Sequence, residues 1–277
     1  MNDMSSLSRP SLRAYRPIAC DDLIRVGKDF DGGYVMPRFV IKKSSALLSL
    51  GVNDDWSFEE GVLAHQPGMR VTCVDGTTGF WRIARKTAQK LIDMIGHFFS
   101  LQWDKAKRDA LYARKLRDFP RFFARHELIQ LMVSKQRSAT TTTLPDLLDK
   151  VTAQHGDDWI MLKSDIEGAE YEALPDAIAK LARVSVLLVE FHALDRHWRD
   201  FEACMSALAS GFHVAHIHGN NFDGFIPGSA VPITLEVTLV NKQLITSDPA
   251  PSRRTYPLPS LDMPNNRKRP DYALHFD

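Results

Sequence analysis

The sequence predicts an α/β domain built on a doubly wound, mostly parallel sheet, and three observations point to it. First, "ALLSLGV" (46–52), "RVTCVD" (70–75), "WIMLKSD" (159–165) and "VSVLLVEF" (184–191) are short apolar runs, mostly without strict alternation. Such runs suit strands covered on both faces. Second, helical patterns lie between them, giving a β-α-β rhythm. Third, the rhythm ends in "FHVAHIHG" (212–219) and "PITLEVTLVNKQ" (232–243), whose connection is too short for a crossover helix, so these two runs are expected to pair as an antiparallel hairpin.

The remaining elements follow in order. "LIRVGKDFDGGYVMP" reads as two short strands around a turn in which Gly32 and Gly33 supply unusual dihedrals. "SFEEGVLAHQ" places Ser57 and Glu60 in a capping-box arrangement at a helix start. "DRHWRDFEACMSALAS" sets Trp198, Phe201, Met205 and Leu208 on one helical face. Residues 81–137 break the rhythm as a helix-rich, locally basic insertion carrying Arg82, Arg85, Lys86, Lys90, Lys105, Lys107, Arg108, Arg114, Lys115, Arg117, Arg121 and Arg125. It reads either as a solvated face or as a lid that attracts an anionic substrate. A Pro-rich tail runs from 247 to 277, within which "DYALHF" (271–276) alternates like a last edge strand. No internal repeat is visible.

A chain of 277 residues with 44% hydrophobic content buries one core, so a single domain is expected, with 1–23 as an N-terminal extension. Thirty-five Lys and Arg nearly cancel 34 Asp and Glu, so no global field points to nucleic acid or a membrane, and partners must be argued locally. No signal-like run and no apolar stretch of about 18 residues occurs, which predicts a cytoplasmic protein without a transmembrane segment. Cys20, Cys73 and Cys204 are far apart and form no CxxC pair, as inert thiols would be.

In open α/β sheets ligands bind beyond the carboxyl ends of the strands, so the residues just after each run carry the chemistry. Here these are Gly51 with Asp54 and Asp55, Asp75 with Gly76, Asp165 with Glu167 and Gly168, Glu190 with His192, and His216, His218, Asn220 and Asn221. A dinucleotide needs a glycine-rich first loop for its pyrophosphate. One glycine followed by two aspartates disfavours NAD and suits a cationic, phosphate-free nucleoside such as S-adenosylmethionine. Asp75 falls near the spacing at which an acidic side chain takes a ribose hydroxyl pair.

"LKSDIEGAEYEAL" (162–174) resembles the L-K-[IS]-D-[IV]-E-G-[AF]-E motif of FkbM-type methyltransferases, in the class I S-adenosylmethionine-dependent superfamily, and "TTLPDLL" (142–148) resembles the element that precedes it. "RVGKDFDGGYV", "LSLGVNDDWSFE", "LLVEFH", "HIHGNN" and "LEVTLV" extend the resemblance over roughly residues 24–243. The first loop departs from the superfamily, its glycine-rich motif being reduced to Gly51. The resemblance implies a Rossmann-like seven-stranded sheet closed by the C-terminal hairpin. It also implies cofactor contacts at Gly51, Asp75 and Asp165, and transfer of a methyl group to a hydroxyl of a glycan, glycolipid or secondary metabolite; Asp54 and Asp55 by their charge, and Gly76 by its place after the strand, join the expected cofactor contacts.

An alcohol nucleophile must lose its proton, which calls for a general base or a metal. His192 and His218 are the candidate bases beside Asp165, and Glu190, Asn220 and Asn221 are candidate acceptor contacts. Asp165, Glu190, His192 and His218 equally suit a divalent metal site, since oxygen and imidazole donors favour magnesium or manganese. Plainer readings stand beside these: helix capping for Asp165 and Glu167, a surface turn for Asp75, hydrogen-bonded structural histidines, and core packing rather than a pocket wall for Trp56, Phe80 and Trp81. Two rival functions stay open, a metal-dependent hydrolase and a non-catalytic glycan-binding module on the same fold.

Overall fold

The structure, a computed structural model, describes residues 9–99, 103–156, 158–246 and 248–277, with the side chains of 96–111 outside the description. Residues 1–8 of the expected N-terminal extension, Ser247 at the start of the expected tail, and Lys105, Lys107 and Arg108 of the basic insertion therefore lie outside the described residues or side chains.

In chain order the elements are β1 (Leu23–Gly27), β2 (Gly33–Pro37), α1 (Arg38–Lys43), β3 (Ser44–Leu50), α2 (Ser57–His65), β4 (Arg70–Val74), α3 (Phe80–Phe99) and α4 (Trp103–Phe123). There follow β5 (Glu127–Ile129), β6 (Met132–Val133), β7 (Thr141–Thr142), α5 (Leu144–His155), β8 (Trp159–Ser164), α6 (Glu170–Ala177), β9 (Val184–Phe191), α7 (Leu194–Leu208), β10 (Phe212–Gly219) and β11 (Leu235–Asn241). A seven-stranded sheet runs β10-β11-β9-β8-β3-β4-β5. Five strands pair in parallel, and β11 alone runs the other way, antiparallel to both β9 and β10, as the closing hairpin was expected to do. The predicted N-terminal pair is present as the β1–β2 hairpin.

Every residue of β9 is buried, which explains why its sequence does not alternate. One face packs Leu48, Leu162, Leu187 and Phe191 against α5, α6 and α7. On α7, Phe201, Met205 and Leu208 are buried and Trp198 packs against that cluster, as the helical spacing predicted. The other face sets Leu47, Met161, Val186 and Leu188 under α1, α2 and the β1–β2 hairpin. Burying a side chain of this size is worth about 1.5–3 kcal/mol, so these two layers dominate the stability.

Three local expectations are corrected. Ser57 lies inside α2 and makes no capping box with Glu60: Trp56 is the N-cap residue, and Asp55 Oδ1 accepts the Ser57 N–H at 3.1 Å. Residues 271–276 add no edge strand: Leu274 makes one isolated bridge, to Tyr256 of the same tail, and the tail packs by burying Leu258, Leu274 and Phe276. The helix-rich stretch contains a strand of the main sheet, because β5 pairs with β4 at Thr72–Glu127 and beyond. The two long helices α3 and α4 pack on each other. Trp56 is buried against Phe119, Phe122 and Phe123, which makes it core and anchors α4 beside the loop after β3.

Candidate active site

The strand order changes direction at β3, with β4 and β5 on one side and β8 and β9 on the other. That topological switch opens a crevice beyond the carboxyl ends of β3 and β8. Gly51 sits at its floor with φ +75, and a Cβ there would lie 1.6 Å from the Asp165 carbonyl oxygen. Asn53 (φ 49), Glu167 (φ 55) and Ala193 (φ 52) adopt the left-handed region in the loops after β3, β8 and β9. Non-glycine residues hold that conformation at a cost of order 1–3 kcal/mol, and such strain gathers at functional sites.

Two chambers share Gly51, Asn53, Asp165 and Glu167. The first, about 300 Å³, has an apolar wall of Leu131, Met132 and Val133 facing Asp75, Gly76 and Thr77. The second, about 360 Å³, is lined by Tyr34, Lys163, Glu190, His192, Asn220 and Phe222 among others. Phe80 and Trp81 line neither chamber.

The expected cofactor residues divide between the chambers. Gly51, Asp75, Gly76 and Asp165 line the first. Asp75 Oδ1 accepts the N–H groups of Thr77 (2.6 Å) and Thr78 (3.0 Å) and the Thr77 hydroxyl, while Oδ2 accepts the Asn53 N–H at 2.6 Å. Burial would raise its pKa, but these hydrogen bonds outweigh that and lower it. With two lone pairs per oxygen, Oδ2 keeps one acceptor position for a ligand hydroxyl.

Asp54 and Asp55 are not brought to the first chamber. Asp54 is held by Lys86 (2.6 Å), Lys115 (3.1 Å) and the Tyr112 hydroxyl, which ties α3 and α4 to the first loop. Burial opposes its ionised form, yet these partners depress its pKa. Asp55 pairs with Lys28 of the β1–β2 turn. The run of acids after Gly51 therefore fastens neighbouring elements.

In the second chamber His192 is oriented by Glu170, which is fully buried. Glu170 Oε1 lies 3.1 Å from His192 Nδ1 and accepts the His192 backbone N–H at 2.7 Å. His192 Nε2 then faces Asp165 (3.7 Å), Glu167 (3.7 Å) and Glu190 (3.9 Å). Burial works against the imidazolium, but the Glu170 hydrogen bond and the charges of Glu190, Glu170 and Asp165 prevail and push its pKa up to about 9. Glu190 is buried, accepts from Asn220 Nδ2 at 2.8 Å, and is raised well above the usual range by burial and by the charges of Asp165 and Glu236. Lys163, 5% exposed, extends from β8 with its Nζ 3.3 Å from the Gly51 carbonyl and 3.6 Å from Asp165 Oδ2. Burial disfavours its charge, but Asp165, Glu59 and Glu190 keep its pKa raised, so it stays an ammonium.

His218 and Asn221 are not brought to this chamber. His218 gives Nδ1 to Glu236 (3.1 Å) and Nε2 to Asp271 (3.0 Å), so neither nitrogen is open to an acceptor. Asn221 is fully buried and bonds the backbone of Asn266, Arg269 and Pro270, which fastens the tail. Sequence reasoning missed Lys163 and Glu170. Both lie inside "LKSDIEGAE", where a lysine in a buried strand and a third acid just after Gly168 were the visible signals.

Residues 103–214 match the model of the methyltransferase FkbM domain. Over that stretch, less than half of its length, the chain is similar to FkbM-type methyltransferases, which use S-adenosylmethionine. No curated protein matches by sequence. Similar solved structures include the fibrillarin pre-rRNA processing protein of Methanococcus jannaschii (12% identity, 75% of this chain and 70% of that one, TM-score 0.38). Others are a precorrin-6y C5,15-methyltransferase of Geobacter metallireducens (12%, 73% and 85%, 0.35) and an O-methyltransferase of Bacillus cereus in complex with SAH (14%, 73% and 79%, 0.33).

The residues around the first chamber fit S-adenosylmethionine. The first chamber joins an apolar wall suited to adenine with the carboxyl groups of Asp75, Asp165 and Glu167, which suit hydroxyl, ammonium and sulfonium groups. Asp165, Glu190 and His192 also offer three donor atoms within 4.8 Å of one another, a set that fits a hard divalent cation without the expected His218.

Proposed function

We propose that the protein is an O-methyltransferase whose first chamber binds S-adenosylmethionine and whose second binds a hydroxylated acceptor, a glycan, glycolipid or related small molecule. The observation that carries this reading is the meeting of the two chambers at Gly51 and Asp165, with His192 Nε2 facing the second. When bound, the cofactor supplies an electrophilic methyl group on a sulfonium. The chain's part is to hold an acceptor oxygen in line at about 3 Å and to take its proton.

His192 Nε2 takes that proton once the imidazole is neutral. Glu170 fixes the ring and stabilises the imidazolium that forms, as a buried carboxyl does behind other catalytic histidines. Glu190, held by the Asn220 amide, is placed to hydrogen-bond an acceptor hydroxyl. Lys163 offsets the surrounding carboxyls. Were a divalent cation bound, Asp165, Glu190 and His192 would hold it, and it would acidify the acceptor hydroxyl.

The test follows transfer of labelled methyl from S-adenosylmethionine to a panel of sugars, glycolipids and phenols, with calorimetry of S-adenosylhomocysteine alongside. His192→Ala should cut turnover by about 10²–10⁴ with little change in cofactor affinity. Equal turnover in variant and wild type would remove His192 as the base. Activity that appears only on adding magnesium or manganese would favour the metal arrangement.

A further inference from the structure

Helix α3 is amphipathic, yet much of its apolar side faces solvent. Ile83 and Thr87 point inward and are buried, whereas Trp81, Ile92 and Ile95 are 82%, 64% and 55% exposed. Trp81, Ala88, Ile92 and Ile95 recur at spacings that align them on one outer stripe. Arg82 and Arg85 flank that stripe, whereas Lys86 turns to Asp54 and Lys90 pairs with Asp93 on the other side of the helix, and the adjacent α4 adds Arg114, Arg117 and Arg121. The acids with described side chains on these two helices are Asp93 and Asp118. In a chain of net charge +1, the positive charge is concentrated where the apolar surface is.

The other large apolar side chains exposed among the described residues are Leu91, also on α3, and Phe80, Met132, Phe222 and Phe225. Met132 walls the first chamber and Phe222 the second, and Phe80 begins α3 two residues before Arg82 of the first chamber. Apolar exposure therefore gathers on α3 and around the chambers.

A helix with an outward apolar stripe and a basic flank matches the chemistry of a bilayer interface, where the stripe enters the acyl boundary and the bases meet anionic headgroups. No helix among the described residues is long and apolar enough to cross a membrane, which agrees with a helix lying on one. A protein partner would cover the stripe equally well but would give no reason for the basic flank. We propose that α3 docks the protein on the surface of an anionic phospholipid bilayer. The docking does not depend on which hydroxyl is methylated. Delivery of an amphiphilic acceptor from that surface is a consequence that does rest on the methyl-transfer reading.

The full chain is sedimented with vesicles of phosphatidylcholine containing about one third phosphatidylglycerol, and with phosphatidylcholine alone. Binding is expected to the anionic vesicles, weakened roughly tenfold or more on neutral ones and in about 1 M salt. Ile92→Asn/Ile95→Asn, and separately Trp81→Ser, should weaken it by a similar factor, with melting temperature and S-adenosylhomocysteine affinity unchanged. The proposal is overturned if the wild type stays in the supernatant with anionic vesicles, or if both variants bind as the wild type does. It is equally overturned if light scattering shows a wild-type dimer that these substitutions dissolve. Loss of cofactor binding in the wild type would instead count against the methyl-transfer reading and leave the vesicle result standing.

Discussion

Glu170 Oε1 sits 3.1 Å from His192 Nδ1 and also accepts the His192 main-chain N–H, so one buried side chain fixes both the ring and the backbone of its partner. This leaves Nε2 as the only ring nitrogen facing the acceptor chamber. With a pKa near 9, His192 is mostly protonated at neutral pH, so activity limited by its neutral form should rise with pH and level off near 9. Glu170→Gln removes the hydrogen bond and charge that raise that pKa. The rising limb should then move to lower pH and the plateau should fall by about tenfold or more. A pH–rate profile checks both, and a limb that stays in place would mean that Glu170 does not tune His192.

Gly51→Ala should disable the crevice. The added carbon would stand 1.6 Å from the Asp165 carbonyl oxygen, at a φ of +75 that alanine adopts poorly. Either β3 or the loop after β8 must move, at a cost of about 2 kcal/mol or more. Thermal unfolding with and without S-adenosylhomocysteine should show a lower melting temperature and a smaller ligand-induced rise.

Lys163→Met should destabilise by about 3–5 kcal/mol near pH 7, because Glu59, Glu190 and Asp165 lose a buried counter-charge. Glu59 and Glu190 have folded-state pKa values raised by burial, so they oppose folding above the ordinary carboxyl range and cease to do so as they take up protons. The deficit should therefore shrink as pH falls toward about 5. Denaturant melts at the two pH values check it.

The sheet was legible because its strands are covered on both faces, and "VSVLLVEF" has no other economical reading. The positions after each strand were legible for the same topological reason, and Gly51, Asp75, Asp165, Glu190 and His192 do converge. What each side chain does there was less legible, because it depends on partners distant in sequence. Asp54 looks like a ligand for a cation until Lys86, Tyr112 and Lys115 arrive from α3 and α4 to occupy it. Glu170 looks like a surface acid of a helix start until α6 packs beside β9 and carries it to His192. His218 follows a strand on the expected side, yet Asp271, 53 residues away, closes over it.

That closure yields a prediction that separates the two histidines. His218 is 2% exposed between Glu236 and Asp271, and although burial disfavours its charge, those two partners push its pKa up to about 10. The folded-state value lies above the ordinary 6.5, so the stabilisation is complete below about pH 6.5 and is lost as pH rises toward 10. His218→Ala leaves Glu236 and Asp271 without their shared cation and loosens the tail from β10, which should cost about 3 kcal/mol near neutral pH. The melting temperature of the wild type should decline across pH 6.5–10, and the gap to the variant should narrow over the same window. Below its melting temperature the variant should keep its turnover within a few-fold, because His218 does not line the acceptor chamber. A variant that melted normally but lost turnover as His192→Ala does would assign His218 to the chemistry instead.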